Sequence, residues 1–579
     1  MFNNTLYKLT LVTALSAGAL AFMPIAASAQ NQVPTSATST ADPGRIQDQF
    51  GEQDLIPDVS PRIEIRDMIA QSAPPNAENI KFDLEKVVIE GNTTYTHNEI
   101  KELYSNYIHR QVSLADMYVL SNAITNRYRN DGYILSQVIV PPQTIENGTI
   151  KFRVVEGYID RVTVVDEEAT GYAAERIRDI ADNIRNDNVL NAEALERYLL
   201  LINDLPGVEA RSILGPSPDK TGAAELRVIV ERKPYDAYVS VDNYGSRFLG
   251  PYQFTAAGSS NSLIGQNETI SGLVVYAPSS DVPSPELLYG SVSYKQPITQ
   301  EGTTAELSVS IADTEPGSIL EQFDVEGKSK LYALKLEHPF VRSRTTNLYG
   351  HVQFDWRDLT SENNLSADIE DNIRTLRVGG RVQHLDTLLG AGINSLAVEV
   401  AQGLDVLGAS NEDVATLSRA AGEVDYTKIE AEYQRLQKIR PGLNMLLGAK
   451  GQYTSDPLLS SEEFGVGGVS YGRGYDSSEI IGDQGFAGKL ELQWNEPYEW
   501  NMIEDYQLYS FFDIGRTFNE DAIANNQITD TLSSAGLGVR TDFTEDTKGS
   551  LTVAFPLNRD VQAENDRNPR VYFSLSHGF

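Results

Sequence analysis

The pentapeptide Gly468-Val469-Ser470-Tyr471-Gly472 spells the G-x-S-x-G pattern of a serine nucleophile elbow. That chemistry needs a buried strand before the serine and a helix after it. Here Glu463-Phe464-Gly465-Val466-Gly467 precedes and Arg473-Gly474-Tyr475-Asp476 follows, a glycine-rich stretch that reads as loop with neither element. Gly327-Lys328-Ser329 has the end of a phosphate-binding loop, but Gln322 stands where the first glycine is required. The chain has no cysteine, which excludes disulfide frameworks, thiolate zinc sites, iron–sulfur clusters and cysteine nucleophiles. His97 and His109 stand alone. No catalytic residue, cofactor or metal site is therefore expected. With 47 basic against 81 acidic side chains and a formal charge of -34, the chain has no basic excess to displace counterions from phosphate, so a nucleic-acid partner is excluded.

One cation stands apart. Arg473 lies between Gly472 and Gly474 and before Tyr475, in the longest structured loop, 455–484. A loop of about thirty residues is a functional element or disorder, and the two glycines suit a tight turn that folds back between the surrounding strands. An arginine placed there needs an anion. Asp513 is the candidate, because it alternates in phase with Tyr509, Phe511 and Gly515 while Leu508, Phe512 and Ile514 take the opposite face. A carboxylate on an otherwise aromatic stripe is costly unless paired. The plainer alternative, in which both groups are simply wetted by a pore, stays open at this level.

The elements that position these residues are strands. After Pro234 helical periodicity disappears, and segments of about ten alternating residues recur to the end of the chain. Leu348, Gly350, Val352, Phe354 and Trp356 oppose Tyr349, His351, Gln353 and Asp355; Thr427, Ile429, Ala431 and Tyr433 oppose Lys428, Glu430, Glu432 and Gln434. A soluble sandwich also alternates. Heavily charged inner positions, aromatic residues near strand ends and uninterrupted tiling point instead to a membrane barrel. Segments begin near residues 235, 251, 268, 287, 303, 330, 346, 375, 393, 426, 443, 485, 506, 534, 549 and 570, which makes sixteen over 235–579, about 22 residues per strand and loop. An even number lets the two ends of the sheet meet antiparallel, and closure removes edges that lipid would not tolerate.

Ahead of the strands, Leu9 to Met23 is an apolar run followed by Ala27-Ser28-Ala29, an export signal over 1–29. The run is shorter than the roughly 20 residues a spanning helix needs. Residues 30–79 read as a polar linker interrupted by a short helix, about 42–50, opened by Asp42-Pro43-Gly44. The pattern does not choose between an idle tail and a movable plug. Residues 80–157 run strand, helix, helix, strand, strand: Val87 to Ile89, Asn98 to Tyr107, a helix with Met117, Leu120, Ile124 and Tyr128 on one face, Tyr133 to Val140, and Thr149 to Glu156. The order recurs over 158–232, so the region is a tandem α+β module and not a catalytic domain.

Tyr128-Arg129-Asn130-Asp131-Gly132-Tyr133, Pro141-Pro142-Gln143, Glu156-Gly157-Tyr158-Ile159, Gly472-Arg473-Gly474-Tyr475 and Phe511-Phe512-Asp513-Ile514-Gly515 resemble the signatures of the outer-membrane transporters of two-partner secretion, the haemolysin-activator and filamentous-haemagglutinin-transporter family. Gly472 departs from the valine common there. The resemblance implies two polypeptide-transport-associated (POTRA) modules in the periplasm and a 16-stranded antiparallel transmembrane β-barrel in the bacterial outer membrane. It also implies a secreted, large and repeat-rich client whose N-terminal region is captured by the modules, and pairing of Arg473 with Asp513 on the barrel wall. The last strand, with Val571, Phe573, Leu575 and Phe579 on one face, resembles the assembly signal of outer-membrane barrels, which makes outer-membrane lipid and the barrel-assembly machinery further partners. The rivals are an insertase of the same superfamily, which usually carries more modules, a passive porin, which has no reason to carry tandem modules, and an adhesin, which would need a large extracellular domain.

Overall fold

The computed structural model describes residues 40–50, 63–65, 72–166, 172–186, 189–220, 222–279, 284–364, 368–411, 416–495, 503–520 and 529–579. The export signal and most of the expected linker lie outside these residues.

Sixteen strands form one closed antiparallel barrel, each paired with the next in sequence and the first, Tyr235–Asp242, paired with the last, Arg570–Gly578. Every strand begins within six residues of its expected start; the largest difference is the eighth, which begins at Ile369 and not near Thr375. Alternation sets the two faces. Leu508, Phe512 and Ile514 are exposed on the outside of the thirteenth strand, Asp505–Phe518, whereas Tyr509, Phe511 and Asp513 are buried inside. An apolar outer face and a charged inner one are what lipid outside and water inside select. No helix among the described residues is long and apolar enough to cross a membrane.

The first module is a three-stranded sheet in which Thr149–Val155 runs parallel to Lys86–Glu90 and antiparallel to Gln137–Ile139. Its second helix, Leu114–Asn130, starts at a capping box in which Ser113 Oγ accepts from the Asp116 N–H and the Asp116 carboxylate accepts from the Ser113 N–H. Met117, Leu120, Ile124 and Tyr128 are buried together with Ile150, Phe152 and Val154 in one core. Two expectations need correction. The strand expected over Tyr133 to Val140 is only Gln137–Ile139, because the chain turns at Tyr133–Ser136 and sends Leu135 into the core of the next module. An unforeseen ribbon, Lys81–Leu84 with Arg110–Ser113, closes the other end.

In the second module Ala223–Arg232 lies between Val208–Pro216, antiparallel, and Tyr158–Asp166, parallel. The outer edge of Val208–Pro216 carries a further strand from the expected linker: Ile63–Ile65 pairs with it in parallel, Ile63 opposite Ser212 and Ile65 opposite Leu214. Helices Tyr172–Asp182 and Ala192–Asn203 cover one face. Just past the second helix, Asp204 takes a forked pair of hydrogen bonds from Arg342 at 2.7 and 2.8 Å, and Arg197 reaches Glu301 at 3.2 Å. These contacts fix the second module against barrel turns on the side where the first strand begins.

Candidate functional site

The connection between the eleventh strand, Leu443–Thr454, and the twelfth, Gln484–Asn495, runs from 455 to 483 and folds inward. Gln484, expected in this loop, already belongs to the strand. The loop has its own skeleton. A short ribbon pairs Phe464–Val466 with Ile480–Gly482, and its side chains pack with Tyr471, Tyr475, Ala487, Leu532 and Val561 in a small core. A strand therefore precedes Ser470, contrary to expectation, but no helix follows it, and the elbow geometry a serine nucleophile requires is missing.

The turn at the tip is closed by the Tyr475 N–H donating to the Gly472 carbonyl at 2.9 Å. Gly472 sits at φ +110, and a Cβ there would press on Gly467 and Leu532 at 3.0–3.2 Å. A β-branched valine would be strained at this φ, so the glycine is the residue this turn geometry selects. Arg473 is thereby aimed at the wall. Its Nε donates to Asp513 Oδ2 at 2.9 Å and its Nη2 to Asp513 Oδ1 at 2.8 Å, a two-pronged fit. Asp513 Oδ2 also accepts from the Gly472 and Arg473 N–H groups at 3.2 and 3.0 Å. The guanidinium stacks 3.7 Å from the centre of the Phe511 ring. Gly515, two residues further on, leaves room for Val466 of the loop: a Cβ there would lie 2.4 Å from Val466 Cγ1.

Sequence reasoning missed a second carboxylate. Glu491, on the twelfth strand, accepts from Arg473 Nη1 and also from Arg540 of the fourteenth strand, Thr529–Asp542, at 2.8 Å. Arg540 in turn lies 3.9 Å over the Tyr509 ring. The arrangement is thus two cations and two carboxylates spread over three strands and a loop. Burial alone would lower the Arg473 pKa; the hydrogen bonds and charge of Asp513, then those of Glu491, outweigh it and hold the guanidinium above its ordinary value.

The loop is fastened elsewhere too. Asp476 pairs with Arg570 at 2.6 Å and Asp483 with Arg419 at 2.5 Å. Glu462 lies between Arg377 at 3.0 Å and Lys428 at 2.9 Å. Burial pushes Glu463 and Glu479 up to about 7, Glu479 with further help from Asp476.

The expected short helix is a single turn, Pro43–Arg45, continued by Ile46–Phe50. It lies against inward-facing residues. Ala41 and Ile46 are buried with Val275, Leu287 and Ala312, and Phe50 stacks on Tyr289. In the final strand Val571 and Leu575 are exposed on the outer face and Phe573 is half-buried; Phe579, the residue after the strand, is exposed.

A closed cylinder with a hydrophilic inner wall, an inward loop locked to that wall and tandem α+β modules on one rim defines a transporter of the POTRA-plus-barrel class. Residues 225–541, more than half of the chain, match the family described as haemolysin secretion/activation protein ShlB/FhaC/HecB, and residues 82–157 match the ShlB-type POTRA domain. The chain is 23% identical over 557 residues to the heme/hemopexin transporter protein HuxB of Haemophilus influenzae strain 86-028NP, covering 93% of this chain and 95% of that one. It is 22% identical to the outer membrane transporter CdiB of Escherichia coli, covering 80% and 78%. A solved structure of CdiB from Escherichia coli superposes with a TM-score of 0.71 at 18% identity, over 88% of this chain and 93% of the other. The chain belongs to the ShlB/FhaC/HecB family. It is an outer-membrane transporter of two-partner secretion, with its modules in the periplasm and a secreted client protein as its partner.

Proposed function

We propose that the client enters as an extended chain at a sheet edge of the modules and leaves through the barrel once the helix at 42–50 has moved aside. Addition of a strand to an open sheet edge gives affinity through main-chain hydrogen bonds with little dependence on side chains. The edge of Val208–Pro216 suits this role, and Ile63–Ile65 occupies it at rest. A client strand must then compete with the transporter's own chain. In this reading residues 42–50 are the plug, the modules span about 80–157 and 158–232, and Arg473 with Asp513 holds the loop in its transport-competent position. The Val571, Phe573, Leu575 and Phe579 face serves recognition by the barrel-assembly machinery and then meets outer-membrane lipid. The transporter performs no chemistry on its client. Folding of the client outside the cell biases its movement outward.

The observation that carries this reading is a charged inner wall with an inward loop ion-paired to it and the 42–50 segment hydrogen-bonded mainly to that loop. Deleting residues 42–50 tests it. The reconstituted barrel should conduct ions at a raised level, and unchanged conductance would reduce this segment to an idle tail.

A further inference from the structure

Among the described residues, the hydrogen bonds of the plug segment run mainly to the inward loop. Arg45 Nη1 donates to the Ser460 and Glu463 carbonyls at 2.8 and 2.9 Å, and Arg45 Nε donates to Ser478 Oγ at 3.1 Å. Ser460 Oγ donates to Asp42 Oδ2 at 2.6 Å. Arg357 of the wall bridges the two, donating to the Gly44 carbonyl at 2.7 Å and to the Ser461 carbonyl at 3.4 Å. Gly44 touches the turn so closely that a Cβ would lie 2.7 Å from Ser461 Cβ and 2.6 Å from Leu359 Cδ1. The polar contacts of the plug to the loop therefore centre on one short helical turn, Ser460–Glu462, and the residue after it, with Ser478 beside them.

That turn is bound to a different arc of the wall from the loop tip. Glu462 accepts from Arg377 Nη2 at 3.1 and 3.0 Å, on the eighth strand, Ile369–Asp386. It pairs with Lys428 Nζ at 2.9 Å, on the tenth strand, Thr427–Arg440. Its carbonyl accepts from Lys428 Nζ at 3.0 Å and from Gln452 Nε2 of the eleventh strand at 3.1 Å. Arg473 holds the tip to strands twelve and thirteen. We infer that Glu462 is a positioning residue of export: it pins the Ser460–Glu463 turn as the seat of the plug, so the seat and the Arg473 tip are separate fastenings that release independently. The inference rests on the plug role proposed above for residues 42–50.

Glu462→Gln is a clean perturbation, because both cations keep another carboxylate: Arg377 retains Asp355 at 2.6 Å and Lys428 retains Glu430 at 2.9 Å. The wall stays neutralised, and the loss falls on the loop. Since the chain has no cysteine, single cysteines report each fastening in the full-length protein in detergent or proteoliposomes. Ala41→Cys lies buried beside the plug. Ser534→Cys lies buried beneath Gly474 of the tip, whose ideal Cβ is 2.9 Å from Ser534 Cβ. With a barrel shown to be folded by heat-modifiable migration, Glu462→Gln should raise maleimide labelling of Ala41→Cys about tenfold or more, the effect expected from losing charge-assisted hydrogen bonds, while Ser534→Cys keeps its protected rate. Gly44→Ala, which drives a methyl into Ser461, should give the same split from the plug side. Unchanged Ala41→Cys labelling in Glu462→Gln, or a joint rise at both reporters, overturns the inference. Labelling needs no client. A transporter that shows the split while deletion of 42–50 leaves conductance unchanged refutes the plug role and leaves Glu462 as the anchor of the turn.

Discussion

Replacement of Arg473 by alanine removes two hydrogen bonds to Asp513, at 2.9 and 2.8 Å, one to Glu491, and a stacking contact 3.7 Å above Phe511. Breaking a buried ion pair from one side costs about 3–5 kcal/mol, because the remaining charge is stranded. Here the lower end applies. Asp513 keeps the two backbone N–H donors of the loop, and Glu491 keeps Arg540 at 2.8 Å. Adding about 1 kcal/mol for the cation over the ring gives ~4 kcal/mol, about a thousandfold rise in the fraction of molecules with the tip lifted. Three measurements follow the effect in order: heat-modifiable migration for the folded barrel, thiol labelling of Ser534→Cys for the tip, and export of the client from intact cells. The barrel should fold, the reporter should become accessible, and export should be lost. Arg473→Lys keeps the charge without the fork or the flat stacking surface, and should fall between. Full protection of Ser534→Cys together with normal export in Arg473→Ala would refute the role given to the tip.

The exchange Arg473→Asp with Asp513→Arg should fail to restore export. A carboxylate at 473 faces Glu491 and an arginine at 513 faces two backbone N–H groups; restored export would show a simple two-body pair. Protection of the loop ribbon should depend on pH. Glu479 and Glu463, pushed up to about 7 from an ordinary 4.5, bind their protons more tightly in the seated loop, so the stabilisation is complete below about pH 4.5 and is lost as pH rises through about 7. Hydrogen exchange over 464–482, corrected for intrinsic rates, should show greater protection at pH 5 than at pH 8. Asp476, Arg559 and Arg570 are the charged neighbours of Glu479, and the dependence should flatten in Glu479→Gln with Glu463→Gln. Deleting residues 63–65 should tighten binding of the client's N-terminal region to the detergent-solubilised transporter several-fold, measured by calorimetry; an unchanged affinity would show that the client uses another edge.

The barrel was legible because its environment writes a period of two into every strand. Apolar Leu508, Phe512 and Ile514 against Tyr509, Phe511 and Asp513 mark which side meets lipid. Arg473 and Asp513 were legible because a lone cation between glycines and a lone carboxylate among aromatics are each anomalous. Glu491 and Glu462 carry no such mark. They look like any other acidic residue in an inward phase, and their partners are set by cross-strand register and by the path of the loop. Lys489 stands opposite Asp513 and Glu491 opposite Phe511 in the ladder, which no single strand reveals. Ile63–Ile65 was hidden for a different reason: three residues are too few to display a period. Tyr133 to Val140 misled because Leu135 is apolar in phase yet serves the core of the neighbouring module.

The circumference closes at its shortest ladder. Only Tyr238 to Asp242 meet Gly578 to Ser574, five residue pairs, whereas the sixth and seventh strands, Glu326–Arg342 and Thr346–Glu362, each run for 17 residues. At about 3.4 Å per residue and a tilt near 45°, 17 residues rise roughly 40 Å, and the first strand's 8 residues rise roughly 19 Å, less than the ~25 Å apolar band of such barrels. On these lengths the wall is lower on the flank of the first strand than on that of the sixth and seventh. Lipid beside the short flank should thin to match it, and bilayers of longer lipids should strain the molecule first along that flank.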